Sequence, residues 1–461
     1  MSWFLTSLFI ISIILLKMCQ VFKPISISLS PNTEKDDIWL ALKLVFSAIG
    51  GPAGGWQFWK EGSATEELEN QFKEYLGVKY AFSFNSGRSA LMAILKALDL
   101  ESESQVLLQA FTCNAAVNPI IWSGFEPVYV DCNENDFNID VEDLKRTLRQ
   151  AQGKKPKVVM VQHTFGLPAE MDRILEIARK NNLILIEDCA HALGAEYGSV
   201  GLPQAKKVGL PAEARRAKAG TFGKLAFFSF SRDKVISSVY GGMVVTDDNN
   251  LAEKIKKFQK EIKYPSCCWI FQQLLHPVLM NFLILPTYKI LAGKIILILF
   301  QWLRILSKAV HWKEKRGRKP SYFPKRMPNA LALLAQNQFK KLERFNKHRK
   351  EIADFYFENL RDSSFELPKV PNDREHGFLR FTVKHPKAHQ IIKKAWQKNI
   401  LIGDWYTTPI APGDTKLRKL KYEIGMCPKA EKLAKQTLNL PTHINISLKQ
   451  AQKIINFLKS I

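Results

Sequence analysis

Residues 80–98, YAFSFNSGRSALMAILKAL, decide how the fold is read. The first six, rich in aromatic residues, suit a strand. From Ser89 to Leu98 the apolar residues recur at helical spacing. Between them lies a glycine turn at a strand end that opens into the start of a helix. Free N–H groups at a helix start, approached through glycine, form an anion site suited to phosphate. Many α/β turns look like this, so the turn needs company before it means anything.

Working outward, the alternation repeats. Strands are expected at 105–108, 127–130, 158–162 and 184–187, with amphipathic helices at 141–150 and 170–181. Strands alternating with helices of that length predict an α/β fold on a mainly parallel sheet, with its site at the strand ends. Residues 327–360 read as one long amphipathic helical region, and 448–458 as a closing amphipathic helix. The expected division is a hydrophobic N-terminal segment (1–24), a large domain (25–260), a hydrophobic and basic insert (261–320) and a smaller C-terminal α+β domain (321–461).

Composition bounds the rest. A chain of 461 residues, 46% hydrophobic and 24% charged, is globular, and these figures exclude a disordered, collagenous or small disulfide-framed protein. Lys and Arg number 67 against 43 Asp and Glu, a net +24 that predicts anionic partners. No aromatic-interleaved basic motif or recognition helix supports nucleic acid. The seven cysteines, at 19, 113, 132, 189, 267, 268 and 427, show no CxxC pair and no metal spacing. That favours reduced thiols in a cytosol-facing protein, with no metal site.

Three stretches stand apart. Trp3–Leu16 is a 14-residue apolar run, short of the roughly 20 residues of a spanning helix. It reads as an interfacial anchor, or as untranslated if synthesis starts at Met18. Gln204–Ala219 is basic and reads as a solvated surface loop. Two apolar segments, 269–285 and 290–306, are followed by KEKRGRKPSYFPKR (313–326), with seven basic residues and one acidic. Apolar hairpin plus basic flank suits docking on an anionic membrane through 266–326; the alternative is a buried helical pair at a subunit interface.

Three further motifs carry chemistry. In IEDCAH (186–191) a carboxylate, Asp188, ends an apolar strand and needs a cationic partner. A pyridinium nitrogen would serve, with His191 close enough to bond a ring substituent; a helix N-cap is the plainer role. In FFSFSRDK (227–234) Lys234 sits in an apolar stretch, where desolvation lowers its pKa and frees a neutral amine for Schiff-base chemistry. A surface lysine laid along apolar residues is the alternative. HTFG (163–166) ends another strand.

Taken in order, these stretches resemble the DegT-type sugar aminotransferases, pyridoxal-phosphate enzymes of fold type I. The resemblance runs from about Ser28 to the C-terminus outside the two inserts. It also includes PVYVDCNENDFNID (127–140), GGMVVTDD (241–248), RMPNALALLAQNQFKKLERFNKHR (326–349) and LNLPTHINISLKQAQKII (438–455). It implies Lys234 as the Schiff-base lysine and later the acid/base. It implies Asp188 on the pyridine nitrogen and His191 near the 3-hydroxyl. Ser229 with Gly87, Arg88 and Ser89 would form the phosphate site. Related dehydratases have histidine at the lysine position, so Lys234 implies transamination. The implied substrate is a nucleotide-activated keto sugar, the donor glutamate and the assembly a homodimer; the cysteines and the apolar hairpin with its basic flank, read from the residues themselves, put the protein in the cytoplasm or peripherally on the inner membrane face. The alternatives are a sugar dehydratase, an aminotransferase for another substrate, or an inactive membrane-associated homologue. Two departures stand out: Cys113 falls where the family stacks an aromatic on the pyridine ring, so that stacking is weaker or Phe111 takes over, and Pro324 stands where the family's asparagine reaches the partner's phosphate, a contact left to Lys325 if it is made.

Overall fold

The computed structural model describes residues 23–47, 55–151, 156–198 and 216–461. The apolar run 3–16 and most of the basic stretch 204–219 therefore lie outside the described residues. Seven strands form the main sheet: β1 (Tyr80–Phe84), β2 (Gln105–Gln109), β3 (Glu126–Val130), β4 (Val158–Gln162), β5 (Ile184–Asp188), β6 (Leu225–Ser229) and β7 (Gly242–Thr246). Their order is β1-β7-β6-β5-β4-β2-β3, parallel except for β7, which runs against both neighbours. The β4 strand is buried along its whole length, as expected for a parallel sheet covered on both faces.

The opening stretch folds as its pattern requires. Ser86 caps helix Gly87–Ala97, its hydroxyl accepting the Ser89 N–H at 3.1 Å, and every residue of the helix but Lys96 is buried. The helix lies close against the sheet because position 242 is glycine. A Cβ there would come 2.4 Å from the Ser86 carbonyl carbon.

A smaller layer closes the chain. Phe381–Lys384 pairs antiparallel with Thr437–Leu440, and helices Leu342–Leu360, Ala388–Gln397 and Leu448–Lys459 surround them in a separate apolar cluster that includes Ile25. The expected continuous helix over 327–360 is instead two, Asn329–Phe339 and Leu342–Leu360. The chain turns at Lys340–Lys341, where the Lys341 ammonium meets Asp36 at 2.8 Å and Asp37 at 3.0 Å. The first helix is buried on most sides against the large domain, and the break lets the second cross to the smaller layer. The end of the expected surface loop is also regular: Arg216–Lys218 is a strand paired with Glu196–Gly198.

The apolar segments form two helices. Cys267–Leu279 continues as a π-turn to Ile284, and Ala292–Trp302 folds back beside it. Gly293 permits the crossing, since a Cβ there would lie 2.1 Å from the Ile284 carbonyl oxygen. Cys267–Ile284 is the one described helix long and apolar enough to cross a membrane, and 39% of it is buried within the protein. Its 18 residues span about 27 Å, against about 30 Å of hydrocarbon.

Candidate active site

The C-terminal ends of β4, β5 and β6 and the turn after β1 meet at one cavity. Lining it are Gly87, Arg88, Cys113, Gln162, Asp188, His191, Ser229, Arg232 and Lys234, joined from the far end of the chain by Asp404, Trp405 and Tyr406. Sequence-distant residues converge here because parallel strands all end on the same edge.

Lys234 sits over the Trp405 ring, its Nζ 5.1 Å from the ring centroid, and among the described residues no hydrogen bond or ion pair ends on that amine. Burial, with the positive charge of Arg380 adding to it, lowers its pKa from 10.5 to about 8 against the pull of Cys113 and Asp188. It is therefore no surface lysine: the side chain looks into the cavity. Asp188 ends β5 and is 4% exposed. No helix follows it, so it is not a helix cap; its Oδ1 accepts the Ala190 N–H at 3.0 Å in a local turn. Burial raises its carboxyl pKa, opposed by that N–H and by the charge of Lys234.

His191 has a defined tautomer. Its Nδ1 accepts the Phe165 N–H at 3.2 Å, which leaves Nε2 carrying the proton, 3.5 Å from the Tyr406 hydroxyl. Burial first, then the charges of Lys234 and Arg380, hold its pKa well below 6.5, so it is a neutral donor. Phe165 supplies that N–H from a left-handed backbone (φ 55°) within the HTFG stretch. His163 of the same stretch is structural: its Nε2 lies 3.0 Å from Glu187 Oε2, and Ala169 N–H bonds its Nδ1. The Glu187 carboxylate also takes N–H groups from Gly220, Phe222 and Gly223, so within the nearby grouping of His163, Glu187 and Cys189 the imidazole and the carboxylate are engaged in hydrogen bonds.

Three expected contacts need correction or qualification. Phe111 does not face the cavity; its ring packs on Phe137, Phe165 and Tyr406, with centroids 5.7, 6.2 and 5.4 Å away. The left-handed backbone at Phe111 (φ 61°) accompanies this inward turn. Ser89 also lies off the cavity, its hydroxyl spent on Asn85 Oδ1 at 2.6 Å. Cys113 does line it, but its sulfur accepts the Ala115 N–H at 3.5 Å and burial raises its pKa. The flat surfaces at the cavity come instead from Trp405, stacked 5.6 Å from His191, and from Tyr406.

Residues missed from sequence fall into two groups. Arg232 and Asp233 stand within the quoted FFSFSRDK stretch, and only their neighbourhood to Lys234 could have flagged them. Gln162, Asp404, Trp405 and Tyr406 had no local signal. Gln162 is fixed by Thr112, whose hydroxyl it accepts at 2.5 Å.

The donor set fits pyridoxal phosphate. A free amine, a buried strand-end carboxylate and a neutral imidazole N–H share one cavity. The glycine turn meets Ser229 so closely that a Cβ on Gly87 would lie 3.0 Å from the Ser229 Cβ, which brings the N–H-bearing turn and the serine hydroxyl together as a phosphate cradle.

Comparison with known proteins agrees. The pattern of the DegT/DnrJ/EryC1/StrS aminotransferase family matches residues 53–263 and 301–459, leaving out the apolar helical pair except its last two residues. The GDP-perosamine synthase of Escherichia coli O157:H7 is 25% identical over 85% of this chain and 88% of its own. A UDP-N-acetyl-3-dehydro-alpha-D-glucosamine 3-aminotransferase from Acidithiobacillus ferrooxidans is also 25% identical, over 86% and 88%. In fold, the chain superposes on the pyridoxal-phosphate form of a proposed sugar aminotransferase from Streptococcus pneumoniae with a TM-score of 0.67, at 19% identity, covering 94% of this chain and 97% of that one.

Proposed function

The chain belongs to the DegT/DnrJ/EryC1/StrS aminotransferase family, a pyridoxal-phosphate-dependent enzyme family, and from that premise we propose that it moves an amino group from glutamate onto a keto group of a nucleotide-activated sugar, for polysaccharide or glycoconjugate synthesis. The observation that carries this reading is the amine of Lys234 facing Asp188 and His191 in a single cavity. Arg88, Arg232 and Lys234 line that cavity together with Asp188, Asp233 and Asp404, so its cations are local contacts for a sugar diphosphate or a dicarboxylate donor rather than a net charge. The names of the relatives just described, with sugar nucleotides as their subject, point the same way.

The bound cofactor supplies an electron sink for the carbon that exchanges its amine. This chain's residues do the rest. Lys234 would hold the cofactor through its amine and, as acid and base, would move the proton between cofactor and substrate carbons. Asp188 would keep the pyridine nitrogen protonated; a cation there would offset the desolvation that otherwise raises its carboxyl pKa. His191 would donate Nε2–H to the ring oxygen. Gly87, Arg88 and Ser229 would hold the phosphate. Cys113 lines the wall near Arg88, and Trp405 and Tyr406 shield the amine from bulk water.

In this reading the enzyme is a cytoplasmic homodimer of a large cofactor domain (25–260) and a smaller C-terminal domain (321–461), with Ile25 and helix Asn329–Phe339 each packing across that division, held to the inner face of a membrane through its hydrophobic and basic insert. The test is to incubate the purified protein with glutamate and a set of nucleotide-linked keto sugars and read the products by mass spectrometry. An amino sugar made only when glutamate is present supports the proposal. A deoxy ketone, or no product from any member, counts against it.

A further inference from the structure

The apolar helical pair does not end at its last hydrophobic residue. The segment that follows it is a wall of the catalytic cavity. Ala309 and Val310 line the cavity beside Arg88, Arg232 and Tyr240. The segment is stitched in place by side chains of the site itself. Arg232 donates from Nη1 to the Ser307 carbonyl at 2.7 Å and from Nη2 to the Ser307 hydroxyl. Tyr240 donates its hydroxyl to the Lys308 carbonyl at 2.8 Å, and Arg88 donates to the Ala309 carbonyl at 3.3 Å. Arg88 is also ion-paired with Glu314, which is fully buried. On the other side, the Ser307 hydroxyl donates to Gln273 Oε1 at 2.7 Å, inside helix Cys267–Leu279. One short strap thus ties Arg88 and Arg232 to the helical pair.

The helical pair has an outer face that no described residue covers. Ile298 is 68% exposed and Trp302 76%, with Ile290, Ile295, Leu299 and Leu303 beside them. Trp56 and Phe271, both exposed, extend this apolar surface by packing on Trp59, 4.9 and 6.1 Å between centroids. From Cys267 to Pro320 the chain carries nine Lys and Arg and one acidic residue, the buried Glu314. Two copies meeting through this face would bring two basic rims together, which like-charge repulsion opposes. An anionic bilayer interface matches both the apolar face and the rim.

Resting on the membrane-docking reading above, we propose that the strap Ser307–Gly317 couples the two sites: docking the helical pair on an anionic membrane holds the cavity wall in place and tightens binding at the cavity. Coupling of this kind is reciprocal, so a ligand that needs the wall must strengthen docking by the same factor. The Arg232–Ser307–Gln273 chain is the direct link, and the Arg88–Glu314 pair is the latch at its far end.

The experiment uses the full chain. Pyridoxal phosphate binding is titrated by absorbance with no vesicles, with phosphatidylcholine vesicles, and with vesicles of phosphatidylcholine and phosphatidylglycerol. The expected result is a Kd lowered about fivefold or more by the anionic vesicles alone, within the usual range of such coupling, with vesicle affinity rising equally when the cofactor is saturating. Hydrogen exchange over 307–317 should slow with the same vesicles, a readout that needs no cofactor. Ser307→Ala, a small change, should keep vesicle binding and lose most of the coupling; Glu314→Gln should do likewise if it folds. Vesicle binding with an unchanged Kd and unchanged exchange would overturn the coupling and leave docking standing. Failure to bind vesicles, with a dimer that Trp302→Ser dissociates, would overturn both and assign the face to a second copy.

Discussion

At the scale of single residues, the account turns on how burial changes an amine. Desolvation penalises the charged form of Lys234, so its neutral form appears as pH rises through about 8 rather than near 10.5. At pH 7.5 roughly a quarter of the population is then neutral, against about 0.1% for an ordinary lysine. The expected outcome is that the rate of pyridoxal phosphate uptake by the apoprotein rises with pH to a midpoint near 8. Stopped-flow absorbance would show it, and a midpoint near 10 would remove the electrostatic argument. Lys234 and Asp188 were legible in the sequence because each is a charged residue closing an apolar run. Trp405 and Tyr406 were not, since their place beside Lys234 depends on how the C-terminal layer folds back. Phe111 was misjudged for a related reason: spacing from a strand end does not fix side-chain direction where the backbone adopts positive φ.

At the scale of elements, close approach explains the glycines that the sequence shows only as letters. Gly242 lets β7 pass against the turn after β1, where an added methyl would meet the Ser86 backbone at 2.4 Å. Backbone cannot step aside as a side chain can. Gly242→Ala should therefore cost about 1–3 kcal/mol of stability, the range for overpacking, and weaken cofactor binding by displacing the phosphate turn. Gly413→Ala, with nothing within 4 Å of its Cβ, is the control and should change stability by less than about 0.5 kcal/mol. Denaturant unfolding of both variants measures the difference. Helices and strands with a clear period, such as Val141–Gln150 and Val158–Gln162, were readable to the residue. The break at Lys340–Lys341 was not, because the amphipathic period continues across it and only the acidic cluster at Glu34–Asp37, far away in sequence, holds the turn.

At the scale of the whole molecule, an aminotransferase frame carries an apolar helical pair that the family pattern skips almost entirely. The order of motifs made the frame legible: phosphate turn, strand-end aspartate, serine and lysine five apart, then paired glycines. No such order could show that the strap after the helical pair is built into the cavity, since that follows from contacts between Arg88, Arg232 and residues far downstream. The central claim, however, rests on one amine. An absorbance titration of the wild-type chain and of Lys234→Ala with pyridoxal phosphate tests it most directly. The account predicts a saturable near-ultraviolet to visible band of lysine-bound cofactor in the wild type and its loss in the variant; an undiminished band in Lys234→Ala would contradict it.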